Sequence, residues 1–401
     1  MRGEMSFARW LKVGTCAAIL GSAVACNRPR IHLYDDPMDL VRSSGLKTSG
    51  RPPLALYTIE WWVPLVVPPA WEYLPREPAP PAADPDGGRI VVLTRDKSVR
   101  AITIEGRVEW EFATRGGFSA AALISEGVVY VPGGDGILYA LQADSGQLLW
   151  KYEVGEPLIA TPAVAAGKVL ASSENDAVVA VDAKTGKLEW RYRREVAPGF
   201  TIRGGAAPRV EGGLAYVGFS DGYLVALGVG DGALKWERAL STPGQQFLDV
   251  DTTPVLDGRG RLFAASYKDG IYALEPATGS VRWHTARPGV TNLLLKGPVL
   301  FAAGNQEVEA LIEDTGRLMW SYDLGNKASN APVLAQGVLV VPTGQSLIFL
   351  DASSGKARSF WNPGKGVTAT PLWDHSRLYV LSNLGYLYAM RLTDRSATAA
   401  K

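Results

Sequence analysis

The sequence predicts an all-β fold, an eight-bladed β-propeller of four-stranded antiparallel blades, on three observations. The stretch Ala180-Val181-Asp182-Ala183-Lys184-Thr185-Gly186-Lys187-Leu188-Glu189-Trp190 recurs in variant form at 140–150, 226–236, 273–283 and 310–320. In all five copies Ala stands ten positions before Trp, and Gly four before it. Trp110, Trp150, Trp190, Trp236, Trp283 and Trp320 are separated by 40, 40, 46, 47 and 37 residues. A period near 40 signals a propeller or a solenoid. Within each repeat, apolar residues alternate with period two, as along Ile137-Leu138-Tyr139-Ala140-Leu141. That is strand periodicity, which excludes the helical solenoids.

Taken in order, the chain opens on a targeting segment. Arg2, Arg9 and Lys12 form a basic region, and Val13 to Ala25 is an apolar run too short to span a bilayer as a mature helix. The run ends Ala23-Val24-Ala25-Cys26. This resembles a bacterial lipoprotein signal over residues 1–25, with Cys26 as the lipidated first residue. Ala23 stands where such signals usually carry Leu, and ordinary secretory cleavage is the alternative. Cys16 leaves with the signal and Cys26 is acylated, so the mature chain is expected to hold no free thiol and no disulfide. Losing Arg2, Arg9, Lys12 and Glu4 changes 41 basic against 40 acidic residues to 38 against 39. That balance offers no electrostatic case for a nucleic-acid partner.

Residues 26–53 are polar and rich in Arg, Ser, Gly and Pro, and read as a flexible tether. Residues 54–63, Leu54 to Val63, read as a strand with no partner in the first repeat. The last repeat, in turn, supplies Leu378 to Leu381 and Tyr386 to Met390 but no Trp strand. The N-terminal strand is therefore expected to complete the last blade, with Trp61 or Trp62 as its docking Trp. Closure of this kind removes exposed sheet edges. Residues 64–88 hold eight prolines and read as an ordered loop or a polyproline-like spacer. Recognition of this segment by a proline-binding groove is a second reading.

The propeller proper runs over 54–401 as one domain, since repeats share a continuous core. The whole chain's hydrophobic content of 47% suffices for it, and most of the chain's 44 glycines fall at turns between alternating runs. A shorter copy of the repeat, Ala101 to Trp110, opens the series, and a worn copy, Leu350 to Phe360, follows it. Gly134-Asp135-Gly136, Ser220-Asp221-Gly222 and Lys268-Asp269-Gly270 supply the positive φ of two-residue hairpins. One Trp on each outer strand is expected to pin its blade to the next, since a Trp buries about 150–250 Å². A ring of ligand-stacking Trp would instead need them at the central channel.

The inventory of reactive groups argues against an enzyme. The histidines are His32, His284 and His375, none in a metal-ligand spacing, and no nucleophile-elbow or Walker pattern is present. No catalytic residue, metal or cofactor is assigned. The repeat resembles that of the pyrroloquinoline quinone dehydrogenases. Those enzymes place a vicinal disulfide and a calcium at the cofactor, and carry long insertions. The mature chain has no cysteine pair and no long insertion, and a shared fold does not transfer chemistry.

Two loops stand out on one rim. Blade four opens with Gly199-Phe200-Thr201-Ile202-Arg203-Gly204-Gly205-Ala206-Ala207-Pro208, and blade five with Gln246-Phe247-Leu248-Asp249-Val250-Asp251-Thr252-Thr253-Pro254. Arg203 and Asp249 each lie five residues before their Pro, so they occupy equivalent places in neighbouring blades. Phe200, Ile202, Arg203, Asp249 and Asp251 then form one patch with the composition of a protein-binding hot spot. The other reading is that Arg203 pairs with Asp249 or Asp251 simply to tie the two blades together. Composition leaves both open.

On these residues the chain resembles the lipoprotein B subunit family of the bacterial outer-membrane β-barrel assembly machinery. Ile202-Arg203-Gly204 is similar to that family's Leu-Arg-Gly loop, and Asp249 to Pro254 to its Asp-Val-Asp-Thr-Thr-Pro run. Phe200 and Ile202 stand where the family has leucines. The resemblance implies an eight-bladed propeller, lipid-anchored at the outer membrane and facing the periplasm, with no enzymatic activity. Its implied partner is the periplasmic (POTRA) domains of the core barrel-forming subunit, bound by these two loops within a hetero-complex. Nascent outer-membrane proteins are a second implied partner. Asn27 lacks the Asp that favours inner-membrane retention in enteric bacteria. The tether and the Pro-rich segment depart from the family's compact pattern. The alternative function is a ligand- or polysaccharide-binding propeller, which calls for a polar or aromatic central funnel; a quinoprotein dehydrogenase is the third.

Overall fold

Alternating apolar residues, cut by glycine turns, fold here into eight sheets of four antiparallel strands each. The computed structural model describes residues 56–66, 72, 74–194, 205–241, 248–325 and 330–393. The predicted signal segment, the tether and Cys26 lie outside them. Blade three shows the pattern: Ala163–Ala165, Lys168–Ser172, Ala177–Asp182 and Leu188–Arg193, paired in that order from axis to rim. The innermost strands of most neighbouring blades touch one another, and those of blades eight and one are among them, which closes the ring.

The core lies between the blades. Among the described residues there are eight apolar clusters, each shared by two adjacent blades. In blade three Val178 and Ala180 face blade four, while Val179 and Val181 face blade two. Successive side chains of a strand point to opposite faces, so the two middle strands of a blade are apolar on both. This is why they read as near-continuous hydrophobic runs.

Blade eight consists of Leu372–Asp374, Arg377–Leu381 and Tyr386–Leu392, completed by the N-terminal strand Tyr57–Pro64. Tyr57 pairs with Leu392 and Pro64 with Tyr386. The expected closure is therefore present, one residue longer at its C-terminal end than expected. Trp61, not Trp62, is the docking residue: it is buried, and its Nε1 donates to the Ile104 carbonyl of blade one at 2.9 Å.

The same clasp repeats around the ring. Trp110, Trp150, Trp190, Trp236, Trp283 and Trp320 donate Nε1–H to the carbonyls of Ala143, Ala183, Val229, Pro276, Glu313 and Ala352. Each acceptor lies in the turn before the outer strand of the next blade. The turn glycine packs against the indole: a Cβ on Gly186 would sit 2.6 Å from the Trp150 ring. Gly186 also has φ +70°, a conformation that glycine alone adopts freely. The glycine four residues before each Trp thus serves the Trp of the preceding blade.

Three expectations need correction. The worn repeat is displaced by one: Phe349 pairs with Ser359, so Ser359 and not Phe360 stands in the Trp register of blade seven. The reason is visible in blade eight. Its third and outer strands come from opposite ends of the chain, so no turn glycine exists there to receive an indole. That seam is filled instead by Tyr57, Phe349, Trp361 and Tyr388 in ring contact. Second, the Asp-Gly turns are three-residue loops: Phe219 N donates to Tyr223 O, and Gly222 takes φ +89° while Asp221 stays out of that region. One αL glycine after a type I turn suffices. Third, the Pro-rich segment is partly blade: Ala82–Ala83 pairs with Ile90 and Val91 as the inner strand of blade one. Before it, Pro75, Glu77, Ala79 and Pro81 are buried while Leu74, Arg76 and Pro78 are exposed.

Candidate functional site

In a four-stranded meander, the turns between second and third strands share a face with the links from one blade to the next. The two candidate loops are such links. Phe200, Ile202 and Arg203 lie outside the described residues. What frames them is described. Ala207 N donates to Thr253 Oγ1 at 3.2 Å. These residues immediately precede Pro208 and Pro254, so the two links run side by side where they join their blades.

The run from Asp249 to Pro254 is knitted into blades four and five by its backbone. Val250 N donates to Phe219 O at 3.1 Å, and Tyr267 N donates to Asp249 O at 3.1 Å. Thr252 Oγ1 accepts from Ala265 N at 2.8 Å and donates to Ala265 O. Ser241 Oγ donates to the Leu248 carbonyl at 2.6 Å. Asp251 is half-buried, but Asp249 is 0% exposed. Asp249 is thus an inner member of its loop rather than part of an open face, and it has a partner within the chain. A buried carboxylate is stable only when paired or hydrogen-bonded.

Arg194, the last described residue before the loop of blade four, carries a polar cluster on this rim. Its Nε donates to Asp221 Oδ2 and its Nη1 to Glu237 Oε2, both at 2.6 Å. The guanidinium carbon lies 4.7 Å from the centre of the Tyr223 ring. Burial disfavours the Arg194 charge, but Glu237 and Asp221 outweigh it and hold the group above its ordinary pKa. Burial holds the Asp221 carboxyl above the usual carboxylate range, with Arg194 opposing. Sequence reasoning named the Ser220-Asp221-Gly222 turn but missed Arg194, because a cation beside an exposed-looking strand end carries no signal of its partners.

Among the described residues no group of three or more His, Cys, Asp and Glu could hold a metal ion. His284 stacks on Tyr272, with ring centres 4.2 Å apart, and His375 meets the neighbouring Asp374 at the surface. A cavity of about 470 Å³ opens between blades five and six, lined by Tyr267, Lys268, Arg287, Glu307 and Glu309 among others. There Arg287 and Glu309 pair at 3.0 Å. The innermost strands carry mostly aliphatic residues, and Trp373 is the one aromatic among the described residues of those strands.

A family profile described as outer membrane protein assembly factor BamB matches residues 95–311 and 268–394. The chain is 34% identical over 263 residues to the outer membrane protein assembly factor BamB of Escherichia coli strain K12, covering 63% of this chain and 67% of that one. It is 28% identical over 313 residues to the protein of that name from Yersinia pestis, covering 76% and 69%. The crystal structure of BamB from Moraxella catarrhalis superposes with a TM-score of 0.73 at 20% identity, covering 84% of this chain and 99% of that one. Quinohemoprotein alcohol dehydrogenase from Comamonas testosteroni superposes with a TM-score of 0.69 at 16% identity, covering 85% and 77%, a likeness of fold alone. With its repeats, its closing strand and a profile match over most of its length, the chain belongs to the outer membrane protein assembly factor BamB family.

Proposed function

We propose that the protein is a non-enzymatic scaffold subunit of the outer-membrane β-barrel assembly machinery. It binds the periplasmic (POTRA) domains of the core barrel-forming subunit through the links that open blades four and five. Phe200, Ile202, Arg203 and Asp251 supply the contact, and the buried Asp249 holds its loop in shape. Lipidation at Cys26 anchors the chain to the outer membrane, and residues 27–53 let the propeller stand off it in the periplasm. Nascent outer-membrane proteins are a second class of partner.

One observation supports this reading most: the run Asp249 to Pro254 is tied by its backbone to both blades, beside the link that carries Arg203. A rigid loop loses little entropy on binding, which favours a preformed docking face. The test is capture of the chain from Asn27 onward by the purified periplasmic domains, compared with Arg203→Glu. A desolvated Arg anchor contributes about 2 kcal/mol or more, so roughly a thirtyfold loss of affinity is expected. Equal capture by a folded Arg203→Glu variant would remove the site.

A further inference from the structure

The turn of blade four, Phe219-Ser220-Asp221-Gly222-Tyr223, meets Arg194, the last described residue before the Arg203 link, on one side and the Asp249 run on the other. On the side of blade three, Asp221 receives Arg194 Nε at 2.6 Å, while Tyr223 and Phe219 lie under the guanidinium with ring centres 4.7 and 5.8 Å away. Glu237 and the Tyr192 hydroxyl take the other donor of the same group at 2.6 and 3.3 Å. The backbone is tied too: Arg194 N donates to Asp176 O, and Ser220 N to Asp176 Oδ1, both at 3.1 Å. Asp176 holds a positive φ of 55° there, a conformation unusual for any residue but glycine.

On the side of blade five, the Phe219 carbonyl accepts Val250 N at 3.1 Å. A Cβ on Gly218 would lie 2.0 Å from the Val250 carbonyl oxygen, so only glycine permits this approach. A Cβ on Gly222 would lie 3.2 Å from Leu248 and 3.0 Å from Ser241. One five-residue turn therefore meets the chain immediately before the Arg203 link and immediately after Leu248 in the other.

We propose that this turn is the keystone of the partner-binding rim, with Arg194 and Asp221 as positioning residues that set where the Arg203 link leaves blade three relative to the Asp249 run. The proposal rests on the reading above, that these two links bind a protein partner. Planar guanidinium chemistry is required, since a lysine can neither fork between two carboxylates nor stack on the ring in the same way. The cluster also has a strength that a surface ion pair lacks, because the guanidinium is largely buried and bonded on several sides.

A double-mutant cycle separates positioning from general stability. Affinity for the purified periplasmic domains of the core subunit is measured for the wild-type chain, Arg194→Ala, Arg203→Ala and the double variant. Arg194→Ala should lose roughly tenfold in affinity, measured well below its own melting temperature so that the variant stays folded. In the Arg203→Ala background the same substitution should cost almost nothing, because there is no longer an anchor to misplace. Arg194→Lys should behave like Arg194→Ala. Hydrogen exchange of the amides from Thr201 to Gly204, measured without partner, should quicken in Arg194→Ala and in Asp221→Asn.

Fully additive losses, or unaltered exchange in that link, would overturn the keystone while leaving the docking face in place. If Arg203→Ala binds as the wild type does, the docking reading fails and the keystone goes with it. Should Arg194→Ala lower the melting temperature markedly, Asp221→Asn takes its place in the cycle, with the same two outcomes.

Discussion

Trp61 Nε1 donates to the carbonyl oxygen of Ile104 at 2.9 Å, so the strand that completes blade eight also grips blade one. Six other outer strands grip the next blade in the same way, but each of them belongs to the sheet of its own repeat, whereas this one comes from the opposite end of the chain. Trp61 also packs at 6.0 Å from Tyr379, and a Cβ on Gly106 would sit 2.9 Å from its ring. The residue therefore joins the two ends of the chain.

Removal of that joint should cost more than removal of an interior clasp. Trp190→Ala should destabilise by about 3–5 kcal/mol, the range for deleting a buried aromatic side chain. Trp61→Ala should cost at least as much, and should in addition quicken unfolding, because it frees an edge that only the N-terminal strand covers. Trp61→Phe keeps a ring and drops one hydrogen bond, at about 1 kcal/mol. Urea unfolding followed by tryptophan fluorescence and by circular dichroism gives both quantities. A Trp61→Ala variant as stable as the wild type would mean that the closing strand contributes nothing to ring closure.

The turn glycines supply an internal control. Gly186 and Gly167 have nearly equal φ, +70° and +71°, but Gly186 faces the Trp150 ring and Gly167 faces open space. Gly167→Ala pays only for backbone strain, about 1 kcal/mol. Gly186→Ala adds a Cβ that must displace the indole, a further cost of about 1–3 kcal/mol. The difference between the two variants in thermal melts isolates the clasp. Equal losses would show that the indole moves aside freely.

Glu77 should make stability depend on pH in an unusual direction. Its carboxyl is fully buried, accepts from Arg95 N at 2.9 Å and pairs with Arg95 Nη1 at 2.7 Å. Burial, opposed by Arg95 and aided by Asp96, pushes it up to about 7. The folded chain therefore holds a proton between about pH 4.5 and 7 that the unfolded chain has lost. Stability from this group is greatest below that window and falls as pH rises through it, by at most about 3 kcal/mol. Asp257 acts in the opposite sense. Although burial works against it, bonds from Arg261 and from the Arg259 amide hold its carboxyl at about 2. Its contribution is present above its ordinary value of 3.8 and is lost as pH falls toward 2. Urea midpoints from pH 4.5 to 8 should fall less steeply for Glu77→Gln than for the wild type. Parallel curves would mean that Glu77 titrates in its ordinary range.

Much of the ring was legible before any coordinates. Ala180, Gly186 and Trp190 recur at fixed offsets, and a spacing near 40 residues with period-two alternation admits few architectures. The orphan strand around Trp61 and the blade that stops after Met390 could be matched by need alone. In the worn repeat the sequence points to Phe360 as a Trp substitute, whereas register follows Gly355 and puts Ser359 in that place. The candidate rim was legible as two links at equivalent positions, but not as layers: nothing in Asp249-Val250-Asp251 distinguishes the buried carboxylate from the half-buried one.

Periodicity, turn glycines and the Trp register are local properties, and they determined strands, blade number and the need for a closing strand. Tertiary structure alone decided that Trp61 rather than Trp62 turns inward, that Glu77 sits in the interior beside Arg95, and that Arg194 meets Asp221 across 27 residues. The physical reason is range. Backbone preference and strand alternation act over a few residues and repeat with the chain, whereas burial and ion pairing depend on which blade stands alongside, and that is settled only once the ring has closed.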